Sequence, residues 1–280
     1  MRLVEANGTT LATESFGDID NQAMLLVMGA TASMLGWPDE LCVALAAKGL
    51  FVIRYDHRDT GQSTTVGPGI ADYAVEDLAS DALAVLEGYG QEKAHLVGMS
   101  LGGYICQMLA VEHPRKVLSL TLIASEPLGW DGAPLANVSQ QFLEHFADLA
   151  TLDWADHGAV ADFLTQSERL CAGTQTPFDE SRARTYVERV LARTESIASM
   201  FNHGTLDVRK DWSGAYRLIS NRVLVVHGSD DPILPIENGE SISAGIPGAR
   251  FERLEKVGHE LPEALIPHIA ETIFRHAQAH

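Results

Sequence analysis

Gly98-Met99-Ser100-Leu101-Gly102 sets a serine among small residues two positions to either side. On a sharp strand-to-helix turn, which only small flanking residues let close, such a hydroxyl projects out of a sheet as a nucleophile. A helix starting just after it aims unpaired N–H groups and a positive dipole end at the same point. A serine hydroxyl is a weak nucleophile until a neighbouring base takes its proton. In this arrangement the partners follow in the order serine, acid, histidine. The chain has 11 histidines, so one histidine alone signifies little. His259, in Val257-Gly258-His259-Glu260-Leu261-Pro262, occupies the late loop where the base belongs, whereas His113, His276 and His280 read as cap or surface residues. For the acid, Asp231 in His227-Gly228-Ser229-Asp230-Asp231-Pro232 is preferred, with Asp230 and Glu126 as alternatives. The acid would hold the imidazole in one tautomer and stabilise the imidazolium. Two N–H groups must receive the developing oxyanion. The Leu101 amide is one, and the Ala30 amide, after Gly29, is the other candidate.

These residues need strands behind them. Met24–Met28, Leu50–Tyr55, Ala94–Gly98, Val117–Ile123 and Arg222–Val226 are apolar runs of the kind covered on both faces, and Thr9–Phe16 reads as an early, partly exposed strand. Helical spacing appears at Pro38–Ala47, Val75–Leu86 and Leu101–Val111, and another helix starts at Pro262 after a short strand at Arg250–Leu254. Strands alternating with helices mean βαβ units and a mostly parallel sheet with helices on both faces, an α/β class. Between Glu126 and Leu218 the alternation stops, and helical runs at Ser139–Leu149, Ala159–Leu170 and Ser181–Met200 follow one another. The expected division is a core of residues 1–124 and 221–280, with a helical cap of residues 125–220 inserted before the acid-bearing strand.

Composition narrows the partners. The chain has 280 residues, 46% hydrophobic and 21% charged, with 38 Asp plus Glu against 20 Lys plus Arg and a formal charge of −18. An acidic surface of this size disfavours nucleic acid, anionic membrane and polyanionic substrates. Cys42, Cys106 and Cys171, with no paired spacing, suggest neither disulfides nor a zinc site, and Cys106 reads as a buried, inert thiol. No signal-peptide pattern or membrane span is visible, so a cytoplasmic location is expected. Neither G-x-G-x-x-G nor G-x-x-x-x-G-K-[ST] occurs, and no cofactor or metal is expected. Oligomeric state is not legible.

The strand–elbow–helix around Ser100, with Asp231 and His259 behind it, resembles the α/β-hydrolase superfamily. Leu25–Gly29, Leu35–Glu40, Arg54–Ser63 and Gly258-His259 with Leu261-Pro262 are similar, within it, to the aclacinomycin methylesterases. That resemblance implies a cofactor-free serine esterase acting on a small-molecule ester, with Ser100, Asp231 and His259 as triad and Ala30 and Leu101 at the oxyanion hole. Two positions depart from the superfamily pattern: Met28 where a histidine is usual, and Asp59 where a glycine is usual. The Asp56–Ser63 stretch reads as support for a loop beside the site. A lactonase, a cofactor-free haloperoxidase or a C–C bond hydrolase would use the same triad. A non-catalytic ligand-binding protein would have lost a member of it. The aromatic residues of the insert, among them Trp130, Trp154, Trp212, Phe142, Phe146, Phe163 and Phe201, read mainly as its own small core. A roof over the serine would also favour neutral, apolar or aromatic esters with a small alcohol.

Overall fold

The apolar runs form the strands expected of them. A computed structural model describes residues 1–136 and 138–279. Its sheet is eight-stranded: β1 (Arg2–Ala6), β2 (Thr9–Phe16), β3 (Gln22–Val27), β4 (Leu50–Tyr55), β5 (Ala94–Met99), β6 (Val117–Ile123), β7 (Val223–Gly228) and β8 (Arg250–Leu254). Their order is β1-β2-β4-β3-β5-β6-β7-β8, with β2 antiparallel to both of its neighbours, β1 and β4, and every other pair parallel. β1 was not expected from its short alternation. Its signal is Asn7-Gly8, both at positive φ (52° and 82°), the dipeptide that closes a two-residue hairpin.

Each inner strand divides its side chains between two helical layers. Leu25, Val27 and Leu96 pack with α2 (Val75–Gly88) and α3 (Leu101–Glu112), joined by Ile242 of α7 (Glu237–Gly245). Met24, Leu26 and Val97 pack on the other face with α1 (Asp39–Ala46) and α8 (Ile266–Gln278). Leu25, Leu26 and Val97 are wholly buried, and truncating a side chain of this kind to alanine costs about 2–5 kcal/mol. This two-sided burial holds the C-terminal strand ends in register, and the candidate site lies along that edge.

The stretch between β6 and β7 contains α4 (Gln140–Ala147), α5 (His157–Cys171) and α6 (Glu180–Arg193). The third helical run is shorter than expected. Thr194 is extended, with its amide and hydroxyl both on the Val190 carbonyl, and Ser196 bonds Ser199, so the chain restarts as a 3₁₀ segment at Ala198–Thr205. The insert closes at a neck. Gly214 N–H donates to the Gly129 carbonyl at 2.6 Å and Tyr216 N–H to the Leu128 carbonyl at 3.2 Å. A side chain at Gly129 (φ 66°) would collide with the Trp212 carbonyl. Trp212 belongs to the main core rather than to the insert's own, and its indole donates to Glu76 at 3.0 Å.

Candidate active site

Ser100 stands between β5 and α3 with φ 52° and ψ −123°, a conformation a serine adopts only when its surroundings impose it. They do so here. Its amide donates to the Ile123 carbonyl at 2.9 Å, and its carbonyl accepts from Ser125 Oγ at 2.9 Å and from the Gly103 amide at 2.8 Å. A Cβ on Gly98 would meet Gly103 N at 2.6 Å, one on Gly102 the Met28 carbonyl at 2.6 Å, and one on Gly103 Ser125 Oγ at 2.5 Å. The two glycines of the pentapeptide therefore admit the turn and let α3 approach β3. Gly29 passes so close that a Cβ there would lie 3.2 Å from the Ser100 Cβ. Leu101, the first residue of α3, contributes an N–H with no intrahelical acceptor. Ala30 follows Gly29 on the loop leaving β3.

Asp231 and His259 come together, with Nδ1 2.8 Å from Asp231 Oδ2. The carboxylate is buried, and its Oδ1 accepts from the Ile233 and Leu234 amides, each at 2.9 Å. Burial alone would raise this carboxyl, but His259, aided by His227, holds it well below the usual carboxylate range. His227, not singled out in the sequence, places Nε2 3.4 Å from Asp231 Oδ2 and donates to the Leu234 carbonyl at 2.7 Å. Asp230 points elsewhere, to Thr174 Oγ1 and Ser229 Oγ. Glu126 has its carboxyl raised by burial and makes no side-chain bond to His259. Ser100 Oγ makes no hydrogen bond to His259 among the described residues. Such bonds are commonly long before substrate binds.

The insert also reaches the loop that carries His259. The His259 amide donates to the Cys171 carbonyl at 2.7 Å, and Glu260 accepts from the Gly173 amide at 2.7 Å. A Cβ on Gly258 would collide with that Cys171 carbonyl, which explains a glycine before the histidine. A pocket of about 280 Å³ opens beside Leu101, lined among others by Tyr104, Glu126, Trp130 and His203. Phe142, Phe146, Phe163, Phe201 and Trp154 form one aromatic cluster, with centroids 4.3–6.2 Å apart. Of these only Phe163 is buried, and the others are half-buried.

The Asp56–Ser63 stretch supports the loop that follows β3, as expected. Asp56 Oδ1 accepts from the Met34 amide at 2.7 Å and His57 Nε2 donates to the Met28 carbonyl at 2.9 Å. Asp59, at φ 65° where a glycine is usual, uses its side chain to accept from Tyr73 Oη, Asn202 Nδ2 and the Val66 amide. Among the described residues no group of three or more His, Cys, Asp or Glu side chains could hold a metal ion, and no helix is long and apolar enough to cross a membrane. All three cysteines are free, and burial pushes the Cys106 thiol far out of nucleophilic range.

Comparison with known proteins places these features in a lineage. Residues 22–263 match the family model described as the alpha/beta hydrolase fold. The chain is 33% identical over 293 residues to rhodomycin D methylesterase DnrP of Streptomyces peucetius, covering 99% of this chain and 98% of that one. Among solved structures, esterase EaEST of Exiguobacterium antarcticum superimposes with a TM-score of 0.78 at 20% identity, covering 99% of each chain. The enol-lactonase of Burkholderia xenovorans LB400 superimposes with a TM-score of 0.78 at 19% identity, covering 99% of this chain and 100% of that one.

Proposed function

We propose that Ser100, Asp231 and His259 carry the reaction of this chain, which belongs to the α/β-hydrolase family and cleaves carboxylic esters. The observation that carries the reading is the 2.8 Å contact between His259 Nδ1 and Asp231 Oδ2 behind a strained Ser100 elbow. With Nδ1 donating to the carboxylate, Nε2 is the nitrogen left to accept the Ser100 proton. Ser100 Oγ attacks the ester carbonyl, and the Ala30 and Leu101 amides receive the oxyanion. The His259 imidazolium then protonates the departing alcohol, leaving an acyl-Ser100. Water, deprotonated by the same ring, attacks the acyl-enzyme through a second oxyanion, and as the acid is released the imidazolium returns the proton to Ser100 Oγ.

The core comprises residues 1–124 and 221–280, and residues 125–220 are inserted between them, with α4 to α6 as a cap over the serine. The half-buried aromatic cluster in that cap and the methylesterase relative support a neutral, apolar or aromatic ester with a small alcohol as substrate. The test is turnover of methyl, nitrophenyl and lactone substrates by the parent and by Ser100→Ala. The variant stays folded and loses activity on the order of 10⁴-fold or more, because the three residues act as a unit. Retention of most activity would remove Ser100 from the mechanism. Preferential lactone turnover would move the assignment to a lactonase on the same triad.

A further inference from the structure

We propose that Arg193 and His203, both in the insert, are positioning residues that hold the Ala30 amide in its oxyanion-binding orientation. This rests on the reading of Ala30 and Ser100 given above. The loop from Met28 to Met34 is fixed at three points by side chains. His57 Nε2–H holds the Met28 carbonyl at 2.9 Å, His203 Nδ1 accepts from the Thr31 amide at 3.2 Å, and Asp56 Oδ1 accepts from the Met34 amide at 2.7 Å. The peptide unit that carries the Ala30 N–H therefore lies between two pinned units, one ending at Met28 O and one ending at Thr31 N. With both neighbours held, it is left only the compensated rotation about ψ of Gly29 and φ of Ala30, and freeing either neighbour adds further freedom.

The insert supplies these restraints directly and at one remove. His203, in the 3₁₀ segment after α6, makes the Thr31 bond itself and donates from Nε2 to the Arg58 carbonyl at 2.8 Å. Arg193, the last residue of α6, grips Asp56 through both nitrogens, at 2.9 Å to Oδ1 and 2.8 Å to Oδ2. Asp56 is wholly buried, so without that guanidinium its charge loses its only cationic partner among the described residues. Thr31 gives the loop a reason to need restraint. It sits at φ 58°, strained for a β-branched residue, and release of its N–H lets it fall back toward ordinary φ and turn the neighbouring peptide unit. His203 serves only as the neutral ring, because a proton on Nδ1 would displace the Thr31 donor. Burial, reinforced by the adjacent His57, holds its pKa down to about 3.

An insert that merely roofs the serine acts on substrate binding, whereas one that aims an oxyanion donor acts on the transition state. The experiment measures kcat, KM and the inhibition constant of phenylboronic acid, whose serine adduct is tetrahedral, for the parent, His203→Leu, His203→Asn, Arg193→Met and Arg193→Lys. Urea midpoints check folding, and fluorophosphonate labelling of Ser100 runs alongside. His203→Leu and Arg193→Met lower kcat about 10–100-fold, short of the 10²–10³ expected for outright loss of a donor, with KM changed by less than about threefold. Boronate affinity falls in parallel with kcat. Asn, which places an acceptor where Nδ1 stood, and Lys, which keeps the cation, restore kcat to within about fivefold of the parent. A rise in KM with kcat and boronate affinity unchanged overturns the proposal, as does His203→Asn behaving like His203→Leu, which would mean packing rather than the acceptor. Failure of the parent to label at Ser100 would instead defeat the nucleophile assignment, which the variants do not test.

Discussion

Replacing Asp231 by asparagine removes a charge and little volume, and its outcome follows from the four groups around that carboxylate. Oδ1 holds the Ile233 and Leu234 amides at 2.9 Å each, and Oδ2 faces His259 Nδ1 at 2.8 Å and His227 Nε2 at 3.4 Å. The new amide has one acceptor and one donor end. If its oxygen turns to His259, the NH₂ group faces two buried backbone N–H groups, leaving both unsatisfied at about 1–3 kcal/mol apiece. If its oxygen keeps the turn, the NH₂ group faces His259, and the ring must adopt the tautomer whose Nδ1 accepts. The second arrangement costs less and wins. It leaves the proton on Nε2, where the ring cannot take one from Ser100. The expected loss is about 10⁴-fold in kcat, or about 5.5 kcal/mol of transition-state stabilisation, with the turn and the fold intact. Steady-state turnover of a nitrophenyl ester measures it, beside Asp230→Asn and Glu126→Gln. Asp230 bonds Thr174 and Ser229 instead, so its variant keeps activity within about tenfold. A Glu126→Gln variant worse than Asp231→Asn, or an Asp231→Asn variant retaining a tenth of parent activity, would refute the reasoning.

Other consequences are as accessible. Gly102→Ala drives a Cβ into the Val27 and Met28 carbonyls, and since neither neighbour is a flexible side-chain end, the variant loses about 3 kcal/mol, read from its urea midpoint; an unchanged midpoint means α3 can shift. Burial lowers the pKa values of His95, His203 and His276 to about 4, 3 and 4, so the unfolded chain takes up protons that the folded one excludes. Their stabilising contribution is complete above about pH 6.5 and is lost as pH falls toward 4, by up to about 1.4 kcal/mol per histidine per pH unit. Denaturant midpoints that stay flat between pH 7 and 5 would contradict this. The formal charge of −18 penalises anions near the mouth, so a carboxylate-bearing ester has at least tenfold lower kcat/KM than its neutral match, about 1.4 kcal/mol. A preference for the anion at both low and high salt would exclude that view.

Local patterns made most of the fold legible. A buried parallel strand is one unbroken apolar run and an elbow is five adjacent residues, so β3 to β7 and the turn at Ser100 could be read without tertiary information. The glycines at 98 and 102 announced a steric need that the structure shows as backbone collisions. Elements with weak local signatures were not seen. α7, Glu-Asn-Gly-Glu-Ser-Ile-Ser-Ala-Gly, has few apolar residues and two glycines, and is held as a helix by Ile242 in the core. Asp56 was legible as loop support, but its partner Arg193 lies 137 residues away and no periodicity joins them. His203 likewise carries no local signature, because what distinguishes it is the Thr31 amide, 172 residues distant. Chemistry written in short runs is readable from the chain, whereas restraint between distant segments is created only by folding.

The neck at residues 128–129 and 212–216 turns residues 130–211 into an exchangeable cassette. Both ends leave the body of the protein at paired backbone groups, so the length spliced between them matters little to the sheet. Doubling such an excursion costs only about 0.6 kcal/mol of closure entropy. Recombination at Gly129 and Gly214 would leave the sheet itself untouched, provided the new segment keeps the contacts this one makes beneath it, among them the Cys171 carbonyl on the His259 amide and the Gly173 amide on Glu260. The exchange has a further condition in this chain, since the cassette also carries Arg193 and His203. A transplanted cassette lacking an acceptor for the Thr31 amide and a cation for Asp56 would import a new pocket above a slackened donor loop. Chimaeras that retain both contacts are therefore the ones in which a new specificity should arrive with its rate intact.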